Sequence, residues 1–499
     1  MPGLPLPAQS NHVSADKSGG AWIGILMGTC VGALIGFLPR PELVILPLVG
    51  ILGFFFSSLN LHLGLGLLVF VSYLRLSDTL VHFHNIPSIA SPLILYFLML
   101  TVFRWVGAKD KPQRLMLPVS LMLGYLAACL TSLLSARAPE VTLLAIGELL
   151  KDLIFAITLM LMYQIDPKNS LKTSLWALML AGLLMGGIAS YQYLTQSFTS
   201  DFGGFGQAAK QHLTGMVQSF RISGTIGDTN FFAQILLVVV PLALDRMIHE
   251  RRWSLRGLAS LVFFTTSSSI LFTYSRGALV GLFWMLMLTL RQHRPPKGIM
   301  IAAVTFSLIS MGFLPEHYLD RLTALYDAAG SSSGPVVEDS LQGRISELYS
   351  GLLMFIDHPL FGVGLGNYPV DYQDYAQKLG IESRHSERHA HNMFLEWIAE
   401  TGLFGGLILF ALIKEMFKRL KLRHVDLLRQ GDTDSARMLD AFRLGLWGYF
   451  IASLFLHAAF PRYFWLFSAL AMAIPGPLIV AKFPLQLKAG EFGQPQSKP

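Results

Sequence analysis

Charge is scarce in this chain: Asp, Glu, Lys and Arg make up 14% of its 499 residues, whereas 53% are hydrophobic. With a mean hydropathy of +0.52, this excludes an ordinary soluble domain, in which about 25% of residues are charged. Cysteine is scarcer still. Cys30 and Cys129 are the only two and both lie in apolar stretches, which argues against an exported disulfide framework. No small-residue cleavage pattern follows the first apolar run, which ends in "GFLPRPEL", so that run reads as an uncleaved span rather than a signal peptide. No internal repeat of useful period is present, which weakens a transporter built from duplicated halves. The formal charge of +7 does not indicate nucleic acid. Lys and Arg sit in short segments between apolar runs, as in the loops of a membrane protein.

What the chain does have is a long series of apolar segments. Crossing about 30 Å of hydrocarbon at about 1.5 Å per residue takes roughly 20 residues. Up to fourteen segments qualify: 21–38, 41–58, 60–75, 88–107, 116–134, 143–163, 174–195, 227–246, 256–273, 277–292, 298–314, 393–415, 440–460 and 463–482. The second and third are short and share a connection near 57–61, which leaves a re-entrant pair open. The expected fold is an all-α polytopic integral membrane protein with 12–14 transmembrane helices. Its parts are a polar stretch 1–20, a bundle 21–314, a long loop 315–392, three last helices 393–482 and a tail 483–499.

Basic connections set the orientation. "RWVGAKDKPQR", "DRMIHERRWSLR", "RQHRPPK" and "KEMFKRLKLRHVDLLRQ" alternate with the other loops and are expected in the cytoplasm with both termini. The opposite side receives "SARAPE", the segment 196–226 and the loop 315–392, which carries eleven Asp/Glu against five Lys/Arg. A connection this long carries function or disorder, and it contains helical signals. Apolar residues recur at Ile345, Leu348, Tyr349, Leu352, Leu353 and Ile356, and again at Tyr368, Tyr372, Tyr375 and Leu379 before Gly380. Two helices lying along the membrane surface and roofing a cavity are expected, with 328–340 flexible. Gly362, Gly364 and Gly366 in "FGVGLGNY" follow no strand and read as a turn between those helices, not a nucleotide loop.

"SERHAHNMFLEWIAETGLFGGL" places Arg388, His389 and His391 at the mouth of a span. No acidic pair at a fixed offset completes a metal site with His385, His389 and His391, and no metal or cofactor is expected. His389 and His385 read most simply as solvated. His391 falls in the first turn, where a helix N-terminus disfavours the protonated ring, so a neutral imidazole able to accept a proton is expected. Arg276 in "FTYSRGALVG", Arg221 in "SFRISGTIGDTN" and Arg344 come from distant segments of the same predicted side. Each alone could snorkel or mark a span boundary. As a set of outer-side cations they suggest a phosphate site. Glu148, Lys151 and Asp152, near one end of the sixth span, read as a structural ion pair.

"SRGALVG", "FGVGLGNY" and "HNMFLEWIAETGLFGGL" together resemble the O-antigen ligase superfamily of bacterial envelope glycosyltransferases, from about Arg221 to the end of the "GLFGGL" span. The resemblance implies a membrane-embedded, GT-C-like glycosyltransferase in a bacterial inner membrane. It implies a periplasmic active site, metal-independent inverting transfer, an undecaprenyl-pyrophosphate-linked glycan donor and a lipid A-core acceptor sugar, among membrane lipids and without nucleic acid. By matching, Arg276, Arg344 and His391 take the positions of the ligases' essential arginines and histidine. Arg221 joins the pyrophosphate set by location, and Arg388, His389 and Asn392 stand as supporting residues. O-antigen polymerases and protein O-oligosaccharyltransferases share the pattern. A flippase or transporter is the remaining alternative, but it would place its ionisable residues near the bilayer midplane.

Overall fold

In the computed structural model the described residues are 53–107, 115–213, 216–293, 335–380 and 388–474. The expected spans 21–38, 41–58 (up to residue 52) and 298–314 lie outside them, as do Cys30 and His385. The chain divides into a unit of residues 1–59 and one of 60–499, and the second is described below.

Its helices are α1 (Leu61–Tyr73), α2 (Leu76–His84), α3 (Ala90–Val106), α4 (Met116–Thr131), α5 (Pro139–Ile165), α6 (Pro167–Leu194), α7 (Thr229–His249), α8 (Trp253–Phe272), α9 (Arg276–His293), α10 (Pro335–Asp357), α11 (Tyr368–Leu379), α12 (Met393–Arg429), α13 (Thr433–Ala452) and α14 (Pro461–Ala473). Among the described residues six helices are long and apolar enough to cross a membrane, and α1 with α2, bent by 49°, makes a seventh if counted as one broken span. The chain is an all-α, multi-pass membrane protein. α5 has the length of a span at 27 residues but carries Glu148, Lys151 and Asp152.

Successive long helices reverse direction, so the bundle has two distinct ends. At one end Arg246, late in α7, meets Asp434 at the start of α13, and Lys172, early in α6, meets the same carboxylate. At the other end "SARAPE" touches the turn after α10: Asn367 Oδ1 accepts from Ala138 N at 2.8 Å, and Arg137 pairs with Asp371 and Asp374. The segment 196–226, expected only as a loop, contains an antiparallel hairpin of β1 (Gln207–Leu213) and β2 (Met216–Gly224). Its Arg221 bonds Thr273 beyond α8. The three segments assigned to one face by charge thus gather at one end.

The two helices of the long loop are present, and Gly380 closes α11 in the left-handed conformation at φ 63°. α10 starts at Pro335, so 335–340 is helical where flexibility was expected. Its burial is inverted. Leu348, Tyr349, Leu352 and Ile356 are exposed, while Ser346, Glu347, Ser350 and Met354 are buried. An apolar stripe turned outward with polar groups held inward suits a helix lying against lipid. The glycine turn behaves as read: Gly362, Gly364 and Gly366 all have positive φ.

α12 is broken where the sequence reads as one span. Gly402 sits at φ 64°, ψ −167°, a region open essentially to glycine alone. The turn after α10 supplies partners for the freed backbone. Leu403 N donates to Pro359 O at 2.8 Å, Val363 N to Ala399 O at 2.9 Å and Gly364 N to Glu400 O at 3.0 Å. A Cβ on Gly402 would lie 2.3 Å from Leu360 O, so the approach requires glycine.

Candidate active site

The first turns of α12 carry most of the site. Asn392 caps the helix, its Oδ1 accepting from Phe394 N and Leu395 N, both at 3.1 Å; capping of orphan helical N–H groups is what asparagine does well. The cap forces the preceding chain into a tight bend, and His391 adopts φ 44°, a sparsely populated conformation for a non-glycine residue. The imidazole is thereby turned toward α10. His391 Nδ1 lies 2.9 Å from Glu347 Oε2 and 3.2 Å from His389 O. Glu347 is 1% exposed, and Arg388 Nη1 donates to its other oxygen at 2.8 Å.

Glu347 acts on His391 in the sense opposite to the helix N-terminus. Its carboxylate, 2.9 Å from the ring, raises the imidazole pKa above its ordinary value; burial opposes this, His389 O adds to it and Arg344 opposes it. A carboxylate at hydrogen-bond distance outweighs the partial charge of a helix end. It also fixes the tautomer, because engaging Nδ1 leaves Nε2 as the free ring nitrogen.

His389 is not simply solvated. Its Nδ1 lies 3.0 Å from Glu396 Oε1, and its ring stacks on His457 at 4.2 Å. Glu396 also accepts from Ala390 N at 3.2 Å, and Glu400, one turn on, accepts from Tyr368 N at 3.2 Å. His457, in the connection before α14, approaches His391 edge-on at 5.6 Å. Burial, then the charges of His389 and His391, push its pKa down to about 3, so His457 is neutral.

Two arginines adjoin this cluster. Arg276 is the first residue of α9, following Tyr274 at φ 54° and buried Ser275. Arg344 comes from α10. Both are exposed, and among the described residues neither has a carboxylate within ion-pairing distance. Desolvation by the surrounding protein, then the like charge of Arg276, hold the Arg344 pKa below its ordinary value. Arg221 is placed differently. Its Nε donates to Thr273 O at 2.8 Å and its Nη2 to Asn230 Oδ1 at 3.3 Å, so it braces the turn that leads into Arg276.

Glu347, Glu396, Glu400 and His457 were missed by sequence reasoning. The two glutamates of α12 had a signal, since acids at i and i+4 within an apolar span are rarely idle. Glu347 and His457 had none, because their partners are distant in sequence. Among the described residues no group of three or more His, Cys, Asp or Glu converges as a metal site requires.

The polytopic bundle with its broken span thus carries two neighbouring arginines and a His–Glu pair at one end. Residues 261–410 match the family described as O-antigen ligase, so this part of the chain is similar to membrane glycosyltransferases of the ligase and polymerase type. The match includes Arg276, Arg344, Glu347, His391, Glu396 and Glu400, and excludes Arg221 and His457. No curated protein matches the chain.

Proposed function

We propose that the protein is an O-antigen ligase: it transfers glycan from undecaprenyl pyrophosphate to a lipid A-core sugar at the periplasmic face of a bacterial inner membrane, with both termini cytoplasmic. The observation carrying this reading is the juxtaposition, inside the family match, of two exposed arginines lacking carboxylate partners among the described residues with a His–Glu pair. Arg276 and Arg344 neutralise the charge that develops on the leaving pyrophosphate as the anomeric C–O bond breaks, by preorganised electrostatics. His391 Nε2 takes the proton of the acceptor hydroxyl as its oxygen forms the new bond to the anomeric carbon from the opposite face, giving inversion. Glu347 holds the ring and stabilises the imidazolium that results.

Deleting the gene and analysing surface glycans tests this. Accumulation of polymeric glycan on undecaprenyl with unmodified core is the expected outcome. Single repeat units on the core would make the protein a polymerase, and loss of glycan from a protein a protein glycosyltransferase.

A further inference from the structure

A second cleft, of about 370 Å³, lies beside the site and belongs to none of the groups assigned above. The segment from His457 to Tyr463 separates the two. On one side His457 stacks on His389; on the other Ala459, Phe460, Arg462 and Tyr463 wall the cleft. Facing them are Arg75 and Asp78 at the bend between α1 and α2, and Glu148 and Asp152 on α5. Glu148 and Asp152 are among the charges that stop α5 from reading as a plain apolar span, and Asp152 finds its partner outside α5 in Arg462. Ionisable groups within a helix of span length are rare without a function.

The pairing in the cleft is thorough. Arg75 Nε lies 2.9 Å from Asp78 Oδ2, Arg462 Nε lies 2.9 Å from Asp152 Oδ1, and Lys151 Nζ lies 2.6 Å from Glu148 Oε1. With each carboxylate matched to a cation, the cleft has no surplus charge to hold a phosphate. What it offers is a set of fixed acceptors and donors around an aromatic wall. Phe460 lies 5.0 Å beneath the Arg75 guanidinium, and Tyr463 is buried against Tyr73. Carboxylate oxygens and guanidinium forks spaced in this way bind vicinal hydroxyls, and a flat ring supports the apolar face of a pyranose. The electrostatics therefore divide the two sites by ligand: surplus positive charge at Arg276 and Arg344, balanced charge here.

We infer that the cleft bounded by Arg75, Asp78, Glu148, Asp152, Phe460 and Arg462 holds the acceptor sugar, an uncharged hexose-type residue presented toward His391 past the His457 segment. This rests on the transferase reading, so its test uses binding without donor. The probe is a deacylated core oligosaccharide from rough lipopolysaccharide, added to the full-length protein in nanodiscs and followed by saturation-transfer NMR. Wild type should show saturation of sugar protons. Asp152→Asn and Glu148→Gln should weaken binding at least ten-fold, and Ala459→Trp, which fills the cleft but leaves every ion pair intact, should abolish it. Arg276→Ala should leave it unchanged. No oligosaccharide binding by wild type, or binding undiminished in a folded Ala459→Trp protein, overturns the inference. Failure of the transferase reading shows separately, as absence of transfer from lipid-linked donor. Where transfer is measured, the cleft variants should raise the acceptor KM at least ten-fold with the donor KM unchanged; a raised donor KM instead also overturns it.

Discussion

The two ends of the bundle use arginine in opposite ways. At the end formed by α7 and α13, Arg246 is 2% exposed and its guanidinium reaches Asp245 at 2.6 Å and Asp434 at 2.8 Å, with Lys172 and Arg437 on the same carboxylates. At the other end Arg276 and Arg344 are exposed, and the charge of Arg276 helps hold the Arg344 pKa below its ordinary value after desolvation. A compensated arginine holds helices together; an uncompensated pair keeps a standing demand for an anion. The first arrangement is complete without a ligand and the second is not, which is why the second is the candidate site.

The largest expected effect falls on the residue beside the uncompensated pair. His391→Ala should retain lipid-linked donor but lose about 10²- to 10⁴-fold in transfer rate, the scale of one general base. Single-turnover transfer with donor binding measured in parallel checks this. Loss of donor binding as complete as in the arginine variants would make His391 a phosphate ligand instead.

Next come the arginines themselves. Arg276→Ala and Arg344→Ala should each lower transfer by about 10²- to 10³-fold, as removal of one preorganised donor to a developing anion does. Lys should rescue only partly because it lacks the fork. Arg246→Ala should do the converse: about 1.5–3 kcal/mol of stability lost with its charge-assisted bonds to Asp245 and Asp434, with unaltered donor affinity in the molecules that remain folded. Thermal unfolding and donor titration on the same preparations separate the two. An Arg246 variant with weakened donor binding and normal stability would erase the distinction between the ends.

Much of this was legible in the sequence. Long apolar helices reveal themselves by length and hydropathy. Arg276, Arg344 and His391 stood out because each is a polar group at the edge of an apolar run. The break in α12 was hidden, since "ETGLFGGL" has helical composition and only docking of the turn at Pro359–Gly364 makes Gly402 leave the helix. The hairpin at 207–224 was hidden by its polar composition, with Lys210, Gln211 and His212 interrupting any alternation. Glu347 was hidden because its partners, Arg388 and His391, lie far along the chain beyond α11.

The break in α12 can be tested directly. Gly402→Ala forces a side chain into the glycine-only region and toward Leu360 O. A loss of about 1–3 kcal/mol from backbone conformation alone is expected, with displacement of the turn that docks Glu400. Unfolding of Gly402→Ala beside Gly187→Ala, in α6 at a position not at positive φ and with nothing within 4 Å of an added Cβ, checks this. Equal tolerance of both would mean the break is not needed.

The smallest expected effect is also the most discriminating. The Glu347 hydrogen bond raises the His391 pKa, while burial and Arg344 lower it. A base works as the neutral ring, so wild-type transfer should climb with pH through a midpoint above the ordinary imidazole value of about 6.5. In Glu347→Gln the bond to His389 O still raises the pKa while burial and Arg344 lower it, so the midpoint should fall below that of wild type, and rates well above both midpoints should differ by less than about ten-fold. Linkage supplies a check without activity. A folded-state pKa raised above the unfolded one gives stability that is present below about pH 6.5 and is lost as pH rises through the raised value. Wild type should therefore lose thermal stability across that window, and Glu347→Gln should lose less. An unmoved midpoint would reduce Glu347 to a brace between α10 and α12. A profile of opposite sign, with transfer falling as pH rises through the midpoint, would show that the charged ring is the working form and that His391 completes the cationic site of Arg276 and Arg344 rather than acting as the base beside it.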